Sequence, residues 1–454
     1  MYYYNNKSKD IYKLWIIGGS VVYFLEDTIL SPGEKIRRIR GYLGLKQSEI
    51  TGGKVTRNLI SYIENGKTKL VRDTAEIIVS SMMGYAEQNG IPLEITAEYL
   101  MRSERNQANQ LLNQYLVELK NSLDDDKSFN IILQKAEQIF RYWDIKDKKA
   151  EIYEITGDHL YGEEQFIKSN IYYIKALENY IKETNDFKIA EVYLKVGRNK
   201  IVLKDYQEGI YYNIHAKLIL DENNIKDINL HNRILYNNAL AYKNLDQYVE
   251  CLESLENLEA TSEYLNKSQH LDILLLKGNV YFRKKEYKMA EKIYEQIIDM
   301  SEEEQLDLKA SAYFNMGEIY LKKYNKIENA MEYFHKCMHI ELIIENYNLV
   351  DTYLNLGRCY RAMGDYENEA LFLNKSLEAG KQWKNHISLV EVYKEILQFY
   401  IRNDKEEELD NLVEEIKGLI DKKEEMRDLL IRVSYYYCDK KNGKSKALLR
   451  YLLD

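Results

Sequence analysis

Thr56, Arg57 and Asn58 stand in a row at the start of a short stretch of helical apolar spacing. An arginine fork can bond both acceptors of guanine, and an asparagine amide can bond adenine, so these residue types could read base edges. Gln47 precedes them, and Ser61, Tyr62, Asn65, Lys67 and Lys69 follow. Residues 33–72 hold ten basic and three acidic residues, and residues 1–32 balance. The whole chain of 454 residues carries a formal net charge of −9, so residues 73–454 carry a negative excess of sixteen. A basic module on an acidic body is the electrostatic pattern of a DNA-binding head. A solvated basic face would carry the same charge, so the elements around it must decide.

Those elements are legible. Residues 33–43 read as a short amphipathic helix with Ile36, Ile39 and Leu43 inward, ended by Gly44. Lys46 to Ile50 reads as a second helix, and Gly52-Gly53 as the turn after it. Thr56 is a suitable N-cap for a third helix to about Ile63, with Val55, Ile60 and Ile63 inward. Asn65-Gly66 stops it, and Arg72 to Met83 reads as a fourth. The run GLKQSEI followed by VTRNLISYIENGKTK resembles the helix-turn-helix of the lambdoid-repressor (Cro/C1) superfamily over about residues 33–83, with a loop one residue shorter than usual. The resemblance implies that the third helix enters the major groove with Arg57, Asn58 and Tyr62 at base-reading positions and with Ser61 also among its DNA-binding residues. It places Gln47, Thr56, Asn65, Lys67 and Lys69 at the phosphates, and it makes Arg40 and Glu64 an internal ion pair.

The rest of the chain repeats. A small residue followed three places on by an aromatic recurs as Ala239/Tyr242, Gly278/Tyr281, Gly317/Tyr320 and Gly357/Tyr360, and outward to Gly157, Gly197 and Leu397/Tyr400. Tyr206, Tyr248, Tyr287 and Tyr366, with Ala290, Ala330 and Ala370, mark a second helix in the units. Seven units of about 40 residues cover roughly residues 147–430, and stretches such as LLLKGNVYFRKKEYKMAEKIYEQII resemble the tetratricopeptide repeat. Such units bury their faces against their neighbours and form a solenoid with a concave surface. Asn237, Asn315 and Asn355 precede the small-residue positions and are expected to face that groove, with Arg198, Asn279 and Arg358 on the same side. An asparagine amide can bond both the N–H and the C=O of an extended peptide, and an arginine can take a carboxylate such as a peptide C-terminus. The 41 tyrosines read as core residues of the repeats; AT-rich coding, which would also explain that bias, would scatter asparagine without a function.

Other classes find less support. Cys251, Cys337, Cys359 and Cys438 show no metal-ligand spacing and read as reduced cytosolic thiols. His335 and His339 lie four apart without a third ligand, and no phosphate loop or nucleophile motif occurs, so neither an enzyme nor a cofactor is expected. Leu14–Leu25 is apolar but too short to cross a bilayer. It is read as preceding the true start, with Val22 or Leu25 as an alternative initiation codon. Both prolines, Pro32 and Pro92, lie in the first fifth, leaving the remainder free to be helical.

The expected architecture is all-α, a helix-turn-helix domain followed by a right-handed tetratricopeptide-like α-solenoid. Its parts are an uncertain extension (1–30), the head (31–90), a helical linker (91–146), the repeats (147–430) and a C-terminal capping helix (431–454). A Cro-like head on such an array resembles the peptide-sensing RRNPP regulators of Gram-positive bacteria. The resemblance implies a cytoplasmic homodimer that binds double-stranded DNA and a short signalling peptide, with RNA polymerase as a further partner and no membrane. The alternative is a scaffold that docks a protein partner, its head serving only to localise it.

Overall fold

The computed structural model describes residues 28–453 apart from Tyr347, 384–385, 420–423 and Lys441, and also the backbone of two short strands nearer the N-terminus. Those strands, β1 (Trp15–Ile17) and β2 (Ser20–Val22), pair antiparallel. The rest of Leu14–Leu25 lies outside the described residues. Every other regular element among the described residues is helical, and the chain divides into two units, residues 1–227 and 228–454.

The first unit opens with α1 (Pro32–Tyr42), α2 (Arg57–Glu64), α3 (Arg72–Gln88) and the short α4 (Ala97–Met101). Ser31 caps α1 in a reciprocal box: its hydroxyl accepts from the Glu34 N–H, and the Glu34 carboxylate accepts from the Ser31 N–H. Thr56 caps α2 as expected, its hydroxyl accepting from the Leu59 N–H. The expected second helix does not form: residues 47–53 run as successive turns. Gly44, Gly52 and Gly53 all hold positive φ, leaving too few residues between them to nucleate an α-helix. Ile50 still reaches the core, where it packs with Ile36, Ile39, Ile60, Ile63, Ile78 and Met82. That core also takes in Ile95 and Leu100, so the head runs to about residue 101 rather than stopping at 90.

Helices α5 (Glu104–Asn121) and α6 (Asp126–Phe140) occupy the expected linker. They share one core with Ile145 and Ile152, the latter on α7 (Lys146–Gly162), so this stretch is a packed helix pair in its own right. The unit closes with α8 (Phe166–Glu183), α9 (Asp186–Val202) and α10 (Tyr206–Glu222).

The second unit continues as pairs: α11 (Ile228–Asn244) with α12 (Tyr248–Glu259), α13 (Lys267–Arg283) with α14 (Tyr287–Met300), and α15 (Leu306–Lys322) with α16 (Ile327–Ile343). Then come α17 (Leu349–Met363) with α18 (Tyr366–Gln382) and α19 (His386–Arg402) with α20 (Glu406–Lys417). Two helices, α21 (Glu424–Lys440) and α22 (Asn442–Leu453), stand where a single capping helix was expected. From α7 to α20 the helices make the seven expected pairs. The small-residue rule has a direct cause: a Cβ at Gly278 would lie 2.7 Å from the Tyr294 ring, and one at Gly317 would lie 2.7 Å from the Phe334 ring. Both rings come from the second helix of the pair and are fully buried.

The turn inside each pair is equally regular. Glu164, Lys204, Asp246, Lys285, Asn325, Gly364 and Asp404 each hold a positive φ, from 51° to 75°. Each such residue ends its first helix in the left-handed conformation. At Lys285 the next N–H, that of Glu286, reaches back to the Tyr281 carbonyl at 2.9 Å. The left-handed residue reverses the chain so that the second helix lies back on the first.

Candidate functional sites

The basic face of the head is built around one buried carboxylate. Glu64, at the end of α2, takes Arg40 Nε at 2.8 Å on Oε1 and Arg40 Nη2 at 3.2 Å on Oε2. Gln47 Nε2 adds a bond to Oε2 at 2.8 Å, and Arg40 Nη1 also donates to the Leu45 carbonyl. The expected Arg40–Glu64 pair therefore exists, and it joins α1, the turn segment and α2. Arg37, which sequence reasoning passed over, donates from Nη2 to the Glu64 carbonyl and to Asn65 Oδ1, each at 2.9 Å. The N-terminal turn of α1 lies directly on the end of α2, where a Cβ at Gly33 would come within 2.2 Å of the Ile63 carbonyl.

On this frame the candidates divide. Arg57, Asn58 and Tyr62 project from α2 with exposed side chains that have no hydrogen-bond partner among the described residues, and so do Lys67 and Lys69 beyond it. Thr56 is used as a cap and Ser61 is half-buried. Gln47 and Asn65 are engaged inside the head: Gln47 on Glu64, Asn65 between Arg37 and the Ser61 carbonyl. Their amides are committed to holding α2, which its neighbours in sequence are not.

Lys35 marks how the head is anchored. It lies in the basic run of α1, yet it is 1% exposed and donates to the Tyr99 and Arg102 carbonyls at the end of α4, both at 2.8 Å. Burial, helped by the neighbouring Arg102 charge, pushes its ammonium down to about 8. Gln107 of α5 adds a two-way clip, accepting from the Leu30 N–H and donating to the Leu30 carbonyl.

The repeat candidates also separate on inspection. In the second unit Asn279 and Asn315 are brought together: Asn315 Nδ2 donates to Asn279 Oδ1 at 3.0 Å, and Tyr294 OH donates to the same oxygen at 2.8 Å. With its oxygen doubly occupied, Asn279 keeps its N–H pair for other partners, while Asn315 keeps its oxygen. That is a donor beside an acceptor, the match for one extended peptide unit. Asn237 is half-buried on α11. Asn355 differs from expectation, being buried, with Oδ1 accepting from Arg358 Nη1 at 3.2 Å. Arg358 also gives Nε to Glu395 at 2.8 Å and Nη2 to Glu391 at 2.6 Å. Burial alone would raise the Glu395 carboxyl, but its bonds to Arg358 and Arg361 outweigh that and hold it below the usual range.

In the first unit, Arg198 on α9 lies over the Tyr161 ring at 3.5 Å from its centroid and donates from Nη2 to Tyr173 OH at 3.2 Å. Beside it runs a network the sequence did not suggest. Lys195 bonds Glu154 at 2.7 Å and Asp158 at 2.8 Å, Tyr180 donates to Glu154, and Tyr173 donates to Asp158. His335 and His339 line an open groove with Lys309, Glu332 and Lys336. Among the described residues no three histidines, cysteines or carboxylates are grouped to hold a metal, and no helix is long and apolar enough to cross a membrane.

The helix pairs are tetratricopeptide-like: residues 271–304, 310–341 and 350–379 match the tetratricopeptide repeat model. Among solved structures the chain is similar to the apo form of the quorum sensor NprR from B. thuringiensis, at 18% identity and a TM-score of 0.52, covering 76% of this chain and 99% of that one. It is similar also to NprR in complex with its cognate peptide NprX, at 18% identity and a TM-score of 0.44 over 76% of this chain and 98% of that one. A third similar structure is aspartyl phosphate phosphatase F from Bacillus subtilis, at 18% identity and a TM-score of 0.45 over 77% and 94%. The search of curated proteins returns no match.

Proposed function

We propose that the chain is a cytoplasmic, non-enzymatic transcriptional regulator that binds double-stranded DNA through its head and, through its repeats, a short signalling peptide that controls DNA binding or activity in quorum sensing. The observation that carries the DNA half is the pairing of a fixed α2 with free side chains. Arg40, Gln47 and Arg37 hold the helix end at Glu64 and Asn65, while Arg57, Asn58 and Tyr62 stay exposed. A preorganised helix presenting an uncommitted arginine and amide suits base reading in the major groove. Thr56, Lys67 and Lys69 contact phosphates in this reading, joined by Gln47 and Asn65 through whatever bonding capacity their internal partners leave, and Ser61 is a further DNA-binding residue.

The peptide half is supported by the likeness of the fold to a quorum sensor and by the donor–acceptor pair of Asn279 and Asn315. In the second unit Asn237 belongs to the same peptide surface, with Asn355 and Arg358 shaping it from beneath; in the first unit Arg198 is a peptide contact in its own right. The regulator acts as a homodimer on a roughly palindromic site, where it meets RNA polymerase.

Selection of the full chain against a random duplex pool tests the DNA half. It should enrich a palindromic motif, and Arg57→Ala should weaken that duplex by about 1–3 kcal/mol while relaxing one base position in each half. Equal loss on unrelated duplex would make Arg57 a phosphate contact, a single half-site would contradict the dimer, and no enrichment would remove DNA reading altogether.

A further inference from the structure

Two arginines of the repeats, Arg198 and Arg358, occupy corresponding positions one residue after a glycine, yet their surroundings are opposite. Arg358 is spent. All three of its guanidinium nitrogens are bonded, to Glu395, Glu391 and Asn355, and Arg361 shares Glu395 at 2.6 Å. Two of its partners are carboxylates, which already answer the positive charge that would draw an incoming anion.

Arg198 touches no carboxylate by a hydrogen bond among the described residues. Its protein bond is to a neutral oxygen, Tyr173 OH. That hydroxyl has committed its proton to Asp158 Oδ1 at 2.7 Å, so its oxygen is free to accept from Arg198. Asp158 in turn gives its other oxygen to Lys195, which also holds Glu154. The nearby carboxylates are thus bonded to lysine and tyrosine, and Arg198 hangs at the end of the chain. Its Nε is buried with no partner, an arrangement that native interiors rarely leave unanswered. The Tyr161 ring beneath and the Tyr173 oxygen beside it fix the plane of the fork in advance. A rigid, planar, unpaired guanidinium suits two-pronged recognition of a carboxylate.

We propose that Arg198 is the group by which the repeat domain recognises a carboxylate on its peptide, whether an acidic side chain or the C-terminus. This assignment rests on the peptide reading above and adds the chemistry that the peptide must carry. Arg358 takes no part in that selection.

The test probes the full chain with arrayed short synthetic peptides. Each is made as free acid and as amide, and with every Asp or Glu exchanged for Asn or Gln; fluorescence anisotropy then measures the best binders. Wild type should prefer one carboxylate by about tenfold or more. Whether that preference follows the C-terminal acid or a side-chain acid identifies the source. Arg198→Gln should bring the ratio near one while neutral peptides still bind, and Arg198→Lys should restore part of it. Binding that ignores peptide charge, or a preference that survives Arg198→Gln, overturns the assignment and leaves the peptide reading intact. Absence of binding by every peptide overturns both.

Discussion

Glu341 shows how a single side chain can set a pH response. It is 2% exposed on α16, beside Cys337 and Thr352, and its Oε2 has no hydrogen-bond partner. Burial raises its carboxyl from 4.5 to about 7. The folded state therefore holds this proton more tightly than the unfolded state. Stability from this residue is complete below the ordinary carboxylate range and falls as pH rises through about 7. The displacement to about 7 corresponds to on the order of 3 kcal/mol. Glu341→Gln should raise the thermal midpoint at pH 8 and leave it nearly unchanged at pH 4.5, as followed by circular dichroism. An equal shift at both values would mean that the carboxylate is not the cause. Neither Glu341 nor Lys35 betrays its burial in the sequence. A charge within an amphipathic or basic run reads as surface, and only the carbonyls of α4 explain why Lys35 turns inward.

The elements themselves were more legible than their ends. The alternation of small and aromatic residues points to all seven helix pairs, and at Gly157, Gly278 and Gly317 its cause is visible: a buried ring of the second helix stands where a side chain would go. The turns inside the pairs were not signalled, since six of the seven left-handed residues are not glycine. Lys285 is one of them, and a side chain in that conformation costs about 1 kcal/mol. Lys285→Gly should therefore stabilise the protein by up to about that much in urea unfolding, despite glycine's greater unfolded-state freedom. A clear loss of stability would mean that the Lys285 side chain contributes more than its backbone strain removes. In the head, the reading of Lys46 to Ile50 as a helix failed for a related reason. Apolar spacing placed Ile50 correctly in the core, but glycines at positive φ on both sides kept the segment as turns.

At the scale of the molecule, the head joins the helices after it through packed and hydrogen-bonded contacts. Lys35 caps α4, Gln107 of α5 holds Leu30, and Ile95 and Leu100 fill the core of the head. A head ending at residue 90 leaves out Ile95 and Leu100, which belong to the same core although Pro92 separates them from α3. Where a motif is dense, as at Arg57 and Asn58, the side chains it singles out are left exposed by the fold. Spacing alone discriminates less, since Asn355 and Arg358 share one periodicity with Arg198 but are engaged by neighbours. The central claim is that peptide held by the repeats changes DNA binding by the head. Its most direct test is a mobility shift of the full chain on duplex from upstream of its own gene, with and without synthetic peptides encoded by neighbouring small reading frames. The account predicts a specific complex whose affinity changes at least about tenfold with one peptide and not with its scrambled sequence, on the scale of ordinary allosteric coupling. A specific complex that no peptide alters would contradict it.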